Sequence, residues 1–334
     1  PGRLGLTATD LDLTLVAHED AEVKEPGITT VAAHTLFDVV RKLPEGSELL
    51  LAQASGSSEL TLKAARSSFA LPSLAADEFP AMALEELDVH FMIPPKDLAK
   101  LIDKTRFAIS TEETRYYLNG IHLHATKGGA ASMLRGVATD GHRLARVEVE
   151  LPAGAEPIPP IIVPRKTVGE VRKLVEEASE DVAVSVSPTR IQLGFGRSSL
   201  VSRLIDGTFP DYERVIPTAN ERVATLRTKE FAEAVDRVAT ISTEKARAVK
   251  LAFERGHMTV SAVSAESGRG MDELDVTYDA EPLEIGFNAR YILDMLAQIA
   301  SPEVRIEMAN AAAPTVVRDG DDSSVLYVLM PMRV

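Results

Sequence analysis

The sequence has no cysteine and no tryptophan, and only 5% of its 334 residues are aromatic. The missing thiols exclude a disulfide framework, a cysteine nucleophile and thiolate-bound zinc, and they suit a reducing cytoplasm. No apolar run reaches the ~20 residues that cross a bilayer, so no membrane partner is expected, and nothing at the front reads as an export leader. Nucleotide and hydrolase signatures are also missing. There is no P-loop and no GxSxG, and Gly194-Phe195-Gly196 lacks the third glycine and the following helix of a dinucleotide fingerprint. His122 and His124 sit two apart on a predicted strand without a third ligand in spacing, and His142 beside Asp140 has no nucleophile to activate. The expectation is a non-enzyme with no cofactor and no metal.

Lysine and arginine number 36 against 50 aspartates and glutamates, a net charge of −14. That balance excludes wrapping nucleic acid over the whole surface, because phosphate binding needs clustered cations. The cations are unevenly placed, however. Lys96, Lys100 and Lys104 recur every fourth residue along one helix face, Arg165 and Lys166 open another helix with Arg172 and Lys173 further along it, and Lys229 and Arg237 mark a third. Carboxylates gather in loops and strands instead, as at Glu19-Asp20, Asp77-Glu78, Glu85-Glu86, Asp272-Glu273 and Asp321-Asp322. On one helix such a face is ordinary solvated surface. Shared by several helices of one repeat, it points to a common basic lining aimed at phosphates without reading bases. An acidic exterior would then repel DNA everywhere but there.

The length predicts two or three domains. A short β-like run, a small or proline-containing entry and an amphipathic helix recur at residues 29–43, 91–107, 161–178, 226–241 and 285–299. Stripes such as Leu98, Leu101 and Ile102, or Val168, Val171, Leu174 and Val175, give each helix one face to bury. Between the helices, alternating runs at 48–54, 59–64, 181–186, 190–195, 250–253, 258–263, 304–308 and 325–330 read as antiparallel strands. The fold class that follows is α+β, with similar domains at 1–88, 89–220 and 221–334. Each of the first two ends in a strand and a Phe-Pro turn, at Phe79-Pro80 and Phe209-Pro210, followed by a linker. Residues 4–16 read as a strand-like entry in mid-domain, and the first domain holds one helical unit where the others hold two. Its opening half is therefore expected to be missing.

Thr139-Asp140-Gly141-His142-Arg143-Leu144-Ala145 carries the densest signal. Alternating runs on both sides make it a β-hairpin, with Asp140-Gly141 as the expected two-residue turn. A turn has no need of the residues that follow; read alone, Arg143 is a solvated strand residue and Leu144 a core one. Arg115-Tyr116-Tyr117-Leu118-Asn119-Gly120 is the other polar-aromatic cluster, with one ring expected inward and one free to stack on a base or sugar.

With residues 161–166 (IIVPRK), 209–217 (FPDYERVIP), 288–296 and the terminal Met330-Pro331-Met332-Arg333-Val334, these motifs resemble, in the same order along essentially the whole chain, the bacterial DNA polymerase III β subunit family, the sliding clamps. The resemblance implies three similar domains with antiparallel sheets outside and helices lining a central hole. Two subunits would close head-to-tail into a ring that encircles duplex DNA without sequence specificity. It further implies a non-catalytic processivity factor, cytoplasmic and nucleoid-associated. A pocket between the second and third domains would tether the replicative polymerase α subunit, the clamp loader δ subunit, other polymerases and repair proteins through short linear peptides.

Carried over by motif, that pocket would use Leu118, Thr139, Gly141, His142, Arg143 and Leu144, then Pro210, Arg214 and Val215, then Asn288, Tyr291, Leu329, Met330, Pro331 and Met332. Leu, Val, Pro and Met make an adaptable apolar groove, and Arg143, Arg214 and His142 can bond the carbonyls of an extended peptide. Ala246 stands where the family often has a larger aromatic, which would lower one wall. DNA would face Lys96, Lys100, Lys104, Arg165, Lys166, Arg172 and Lys173, with Arg115, Tyr116 and Tyr117 near the rim. The dimer contact would involve Phe69 and Leu71 on an edge strand and Ile241 near a helix end. Two other functions fit parts of the sequence: a peptide-binding scaffold whose basic helices are plain surface, and a metal-dependent hydrolase using His122, His124 and acidic loops. Ile241→Asp or Phe69→Asp is expected to convert the dimer to monomer in sedimentation velocity, and an unchanged dimer would refute this interface.

Overall fold

The computed structural model describes residues 2–80, 87–126, 132–242 and 247–333. Glu85, Glu86, Ala246, Val334 and most of the linker expected at 81–88 lie outside the described residues. Wherever the apolar stripe has 3.6-residue spacing, a helix forms: α1 (Ala33–Val40), α2 (Pro95–Asp103), α3 (Arg165–Glu177), α4 (Thr228–Ala239) and α5 (Ala289–Leu296). Each falls inside one of the five expected stretches. Pro95 opens α2, where a missing N–H costs no helical bond. Leu98, Leu101 and Ile102 of α2 are buried, as are Val168, Val171 and Val175 of α3. α1 differs, because none of its residues is buried and Phe37 is exposed.

The chain divides into two compact units, residues 1–86 with 196–202, and residues 87–195 with 203–334. In the first unit, residues expected to make one strand-like run form a hairpin instead, Gly2–Thr9 against Leu13–Ala21, turning at Asp10. Asp10 Oδ1 accepts from the backbone N–H of Asp12 and Leu13, so a side chain supplies the turn that no Gly or Pro announces. A three-stranded sheet, Leu49–Ala52, Glu59–Ala64 and Ser67–Pro72, buries Leu60, Leu62, Ala64 and Leu71. Leu71 is thus a core residue and not the exposed side chain expected of it. Residues 69 and 71 share the inward face of their edge strand, and only Phe69 keeps partial exposure.

The second unit is built around antiparallel pairing. Ile161–Pro164, Gly120–Ala125, Met133–Thr139, Arg143–Glu150, Val325–Leu329, Thr315–Asp319, Glu303–Met308, Arg222–Arg227 and Thr277–Tyr278 follow one another in a nine-stranded sheet. The join that matters lies at its centre, where Leu144 pairs with Val328 and Arg143 with Leu329. Strands separated by more than 170 residues therefore share one antiparallel ladder. Leu283–Asn288, Ala248–Glu254, His257–Ser264 and Gly268–Asp275 form a further four-stranded sheet. α2 packs on α3 and α4 on α5, with Arg172 Nε 2.8 and 2.9 Å from the Asp103 carboxylate.

One glycine in the nine-stranded sheet is fixed by contact rather than by conformation. A Cβ on Gly120 would lie 2.2 Å from the Val163 carbonyl oxygen on the neighbouring strand. Gly120→Ala is expected to lower unfolding stability by about 1–3 kcal/mol, the cost of forcing matter into a packed site. The check is a lower urea midpoint at unchanged m-value, and an unmoved midpoint would show that the strands part freely there.

Candidate functional site

The expected hairpin forms, but its turn is centred one residue later than the sequence suggests. Thr139 pairs with Leu144, so Gly141-His142 occupies the centre, with Gly141 at φ +89°. Asp140 is the organiser. Its Oδ1 accepts from the N–H of His142 (2.9 Å) and Arg143 (3.0 Å), while Thr139 Oγ1 accepts from Gly141 N–H and donates to the Arg143 carbonyl. Gly141 has a second reason to lack a side chain, since its Cβ would meet Arg115 Nη1 at 2.5 Å. Thr9 and Asp10 make the same bonds to Leu11, Asp12 and Leu13, with Leu11 held at φ +81°. The shared Ala-Thr-Asp at 8–10 and 138–140 was the signal in the sequence for this repeated turn.

Arg143 does not wait for a peptide carbonyl. Its Nη2 donates to the Phe107 carbonyl at 2.7 Å, Nη1 to Asp294 Oδ2 at 2.7 Å, and Nε to Asp140 Oδ2 at 3.1 Å. The guanidinium lies 4.4 Å from the Tyr291 ring centroid and 5.2 Å from that of Phe107. With 11% of its side chain exposed, it is a strut that ties the hairpin to α5. Asn288 caps α5 by accepting from Arg290 N–H, and His142 stacks against Tyr291 at 6.2 Å. The C-terminal segment completes the arrangement: Met330 N–H donates to the His142 carbonyl, and Met332 N–H to that of Gly286.

The Phe-Pro segment packs on the same place. Phe209 and Tyr212 share an apolar cluster with Leu118, Leu144, Val316, Leu326 and Val328. Leu118, Leu144 and Leu329 are buried, whereas Val215 and Met330 are exposed apolar surface. Pro210 and Arg214 are exposed, and Arg214 Nε lies 2.6 Å from Asp211. Apolar, exposed side chains beside a buried apolar floor, with the turn and the C-terminal segment alongside, suit the docking of a short apolar peptide.

The basic residues fare unevenly. Lys100 reaches Asp322 and Ser324, each at 2.7 Å, and Lys104 donates to the Gln298 carbonyl. Two of the three lysines in the predicted stripe thus tie α2 to the loops around 298–324, and Lys96 is the exposed one. Arg172 is paired with Asp103, and Arg115 with Glu112 and the Asp140 carbonyl, which places Arg115 behind the hairpin turn. Tyr117 packs on the apolar cluster while Tyr116 is exposed; the two lie on a 3-10 turn, Glu113–Leu118, and not on a strand. Tyr116, Arg165, Lys166 and Lys173 line an open hollow of about 650 Å³ at the start of α3, where Lys173 also pairs with Glu170. Among the described residues no three His, Asp or Glu converge on a metal position, and no helix is long and apolar enough to cross a membrane.

Models for the N-terminal, central and C-terminal domains of the DNA polymerase III beta subunit match residues 1–83, 92–211 and 213–333. The chain belongs to the DNA polymerase III β subunit family. It is 50% identical to the beta sliding clamp of Caulobacter vibrioides over 332 residues, 99% of this chain and 89% of the relative. It is 36% identical to that of Escherichia coli K12, covering 100% of this chain and 89% of that one. A Bartonella birtlesii sliding clamp solved bound to griselimycin superposes with a TM-score of 0.96 at 44% identity, over 100% of this chain and 89% of that one. The Caulobacter crescentus sliding clamp does so at 0.94 and 50% identity, over 99% and 89%. This β-subunit chain therefore has the three-domain clamp fold of antiparallel sheets and few helices, and it is a non-catalytic subunit of DNA polymerase III acting in DNA replication. That removes the hydrolase reading of His122 and His124.

In this β-subunit chain the strut predicts a large local penalty. Arg143→Ala is expected to cost roughly 2–4 kcal/mol, because it strands two half-buried carboxylates and a half-buried carbonyl. Urea unfolding measures it, and a loss near zero would mean that the ion pairs are not formed in solution.

Proposed function

We propose that the chain is the subunit of a head-to-tail homodimeric ring that encircles duplex DNA, slides without sequence preference and tethers its partners through the notch beside the 139–144 hairpin. The observation that carries this reading is the convergence of the hairpin turn, the 209–216 segment, the start of α5 and the C-terminal segment on one surface of one unit. The family's activity requires a place where short linear peptides of the polymerase α subunit, the clamp loader δ subunit, other polymerases and repair proteins can dock. Leu144 and Leu329 provide a floor, Val215 and Met330 provide apolar contact, and His142 and Arg214 provide polar edges. Griselimycin, the ligand of the Bartonella relative, would occupy this notch.

In the same reading the domains divide at 88 and 220, the strand of Phe69 and Leu71 meets Ile241 at the dimer contact, and the ring works in the cytoplasm on the nucleoid. The exposed Lys96, Arg165 and Lys166, with Lys173 and Tyr116 in the adjoining hollow, provide diffuse attraction to phosphates. Lys100, Lys104 and Arg172 act in the proposal as ties that set the positions of those helices, because Lys100 and Arg172 are paired with carboxylates and Lys104 is hydrogen-bonded to the Gln298 carbonyl.

Encirclement has a signature that affinity lacks. Loaded on nicked circular DNA, the clamp should stay bound through gel filtration and leave once the circle is cut. The triple change Lys96→Glu, Arg165→Glu and Lys166→Glu should lower retention about tenfold or more while griselimycin binding is spared. Deleting the chain from Met330 onward should do the reverse. Equal retention on cut and uncut DNA would refute encirclement and leave only the scaffold reading.

A further inference from the structure

The strands Gly120–Ala125 and Met133–Thr139 carry a polar cluster that none of the proposed contacts with DNA, peptide or partner subunit uses. His124 Nε2 lies 2.9 Å from the Tyr212 hydroxyl, and Arg135 Nη1 donates to the same oxygen at 2.7 Å. Arg135 also pairs with Glu148 at 2.6 Å and with Glu213 at 2.7 Å, its side chain only 13% exposed. His122 stacks flat on Phe209, with ring centroids 4.7 Å apart and planes 7° apart, and lies 4.8 Å from His124. The contacts of His124 and Arg135 with Tyr212, of Arg135 with Glu213 and of His122 with Phe209 reach from the sheet to residues 209–213.

The donors and acceptors fix the protonation of the cluster. His124 Nδ1 faces the Ala125 carbonyl at 3.0 Å and His122 Nδ1 faces that of Ile161 at 3.2 Å, and a carbonyl can only accept. Each imidazole therefore carries its proton on Nδ1. His124 Nε2 is left as an acceptor for the Tyr212 O–H, whose oxygen in turn accepts from Arg135. Burial, and after it the neighbouring His124, push the His122 imidazole down to about 4. Burial also pushes His124 down, against the Ala125 carbonyl and with help from Arg135. A proton on His124 Nε2 would turn the acceptor into a donor, leave the tyrosine O–H without a partner and face a cation toward Arg135. The other charges around the cluster are Glu148 and Arg146 on the adjacent strand and Glu213 on the turn itself.

The Tyr212–Val215 turn is short and mostly exposed, and residues 205–217 belong to no strand. Such a segment holds one position only if side chains fasten it. We propose that the Tyr212 hydroxyl, held between His124 and Arg135, is the positioning group that fixes residues 210–215 and thereby sets the wall of the peptide notch formed by Pro210, Arg214 and Val215. The inference rests on the reading of those three residues as pocket wall. Tyr212 itself is buried, so it acts through its neighbours.

The test uses the full chain with griselimycin as probe and isothermal calorimetry as readout. Tyr212→Phe keeps the ring in the apolar cluster and removes only the clasp. It should weaken binding about tenfold, speed amide exchange at residues 210–216 and leave the exchange of the sheet strands unchanged. His124→Leu should do the same, while His124→Gln, which supplies an uncharged acceptor, should restore most of the affinity. Wild-type affinity should fall as pH is lowered from 7.5 toward 5, and that fall should be smaller in Tyr212→Phe and His124→Gln. Unchanged affinity in Tyr212→Phe, together with loss of binding in Val215→Glu, would overturn the positioning role alone. Full binding in Val215→Glu would overturn the pocket reading and the positioning role with it.

Discussion

The pairing of Arg143–Glu150 with Val325–Leu329 is the constraint on which the rest of the second unit depends. It joins two series of strands that would otherwise be separate sheets, and it does so with backbone bonds, which tolerate no slip without turning Leu144 and Val328 out of the core. The hairpin turn, the C-terminal segment and the 209–216 segment meet only because that register holds. Met330 bonding to the His142 carbonyl continues the ladder past the last strand residue and places the apolar C-terminal residues beside the turn.

Two kinds of fastening follow from that join. Side chains such as Arg143 and Lys100 take partners from distant parts of the chain, and they fix helices against the hairpin and the 320–324 loop. Polar groups in the Tyr212 cluster fasten a segment that has no ladder of its own. Between them the exposed apolar residues Val215 and Met330 are held in place without being covered, which is the condition for binding an apolar peptide without paying first to order the site.

Much of this was readable from the residues. The 3.6-residue spacing of Leu98, Leu101 and Ile102, or of Val168, Val171 and Val175, sets a helix and its buried face with local information alone. What was not readable depended on partners far along the chain. The partners of Lys100 and Lys104 lie about two hundred residues away, so two lysines that look free in sequence are tied down in space, Lys100 to Asp322 and Ser324 and Lys104 to the Gln298 carbonyl. Arg143 looked available for a ligand for the same reason. The burial of Leu71 was not readable either, because which face of an edge strand meets the core is set by the packing of the whole unit. The turn at Asp10 was hidden because a carboxylate, and not glycine or proline, supplies its bonds.

The central claim is that one notch beside the shared ladder receives the clamp's ligands. A crystal structure of the full chain with griselimycin tests it most directly. The account predicts the ligand seated against Leu144, Val215 and Met330, with the Arg143 ties to Phe107 and Asp294 intact. A ligand seated on another surface, with those three side chains unaltered and uncovered, would contradict it.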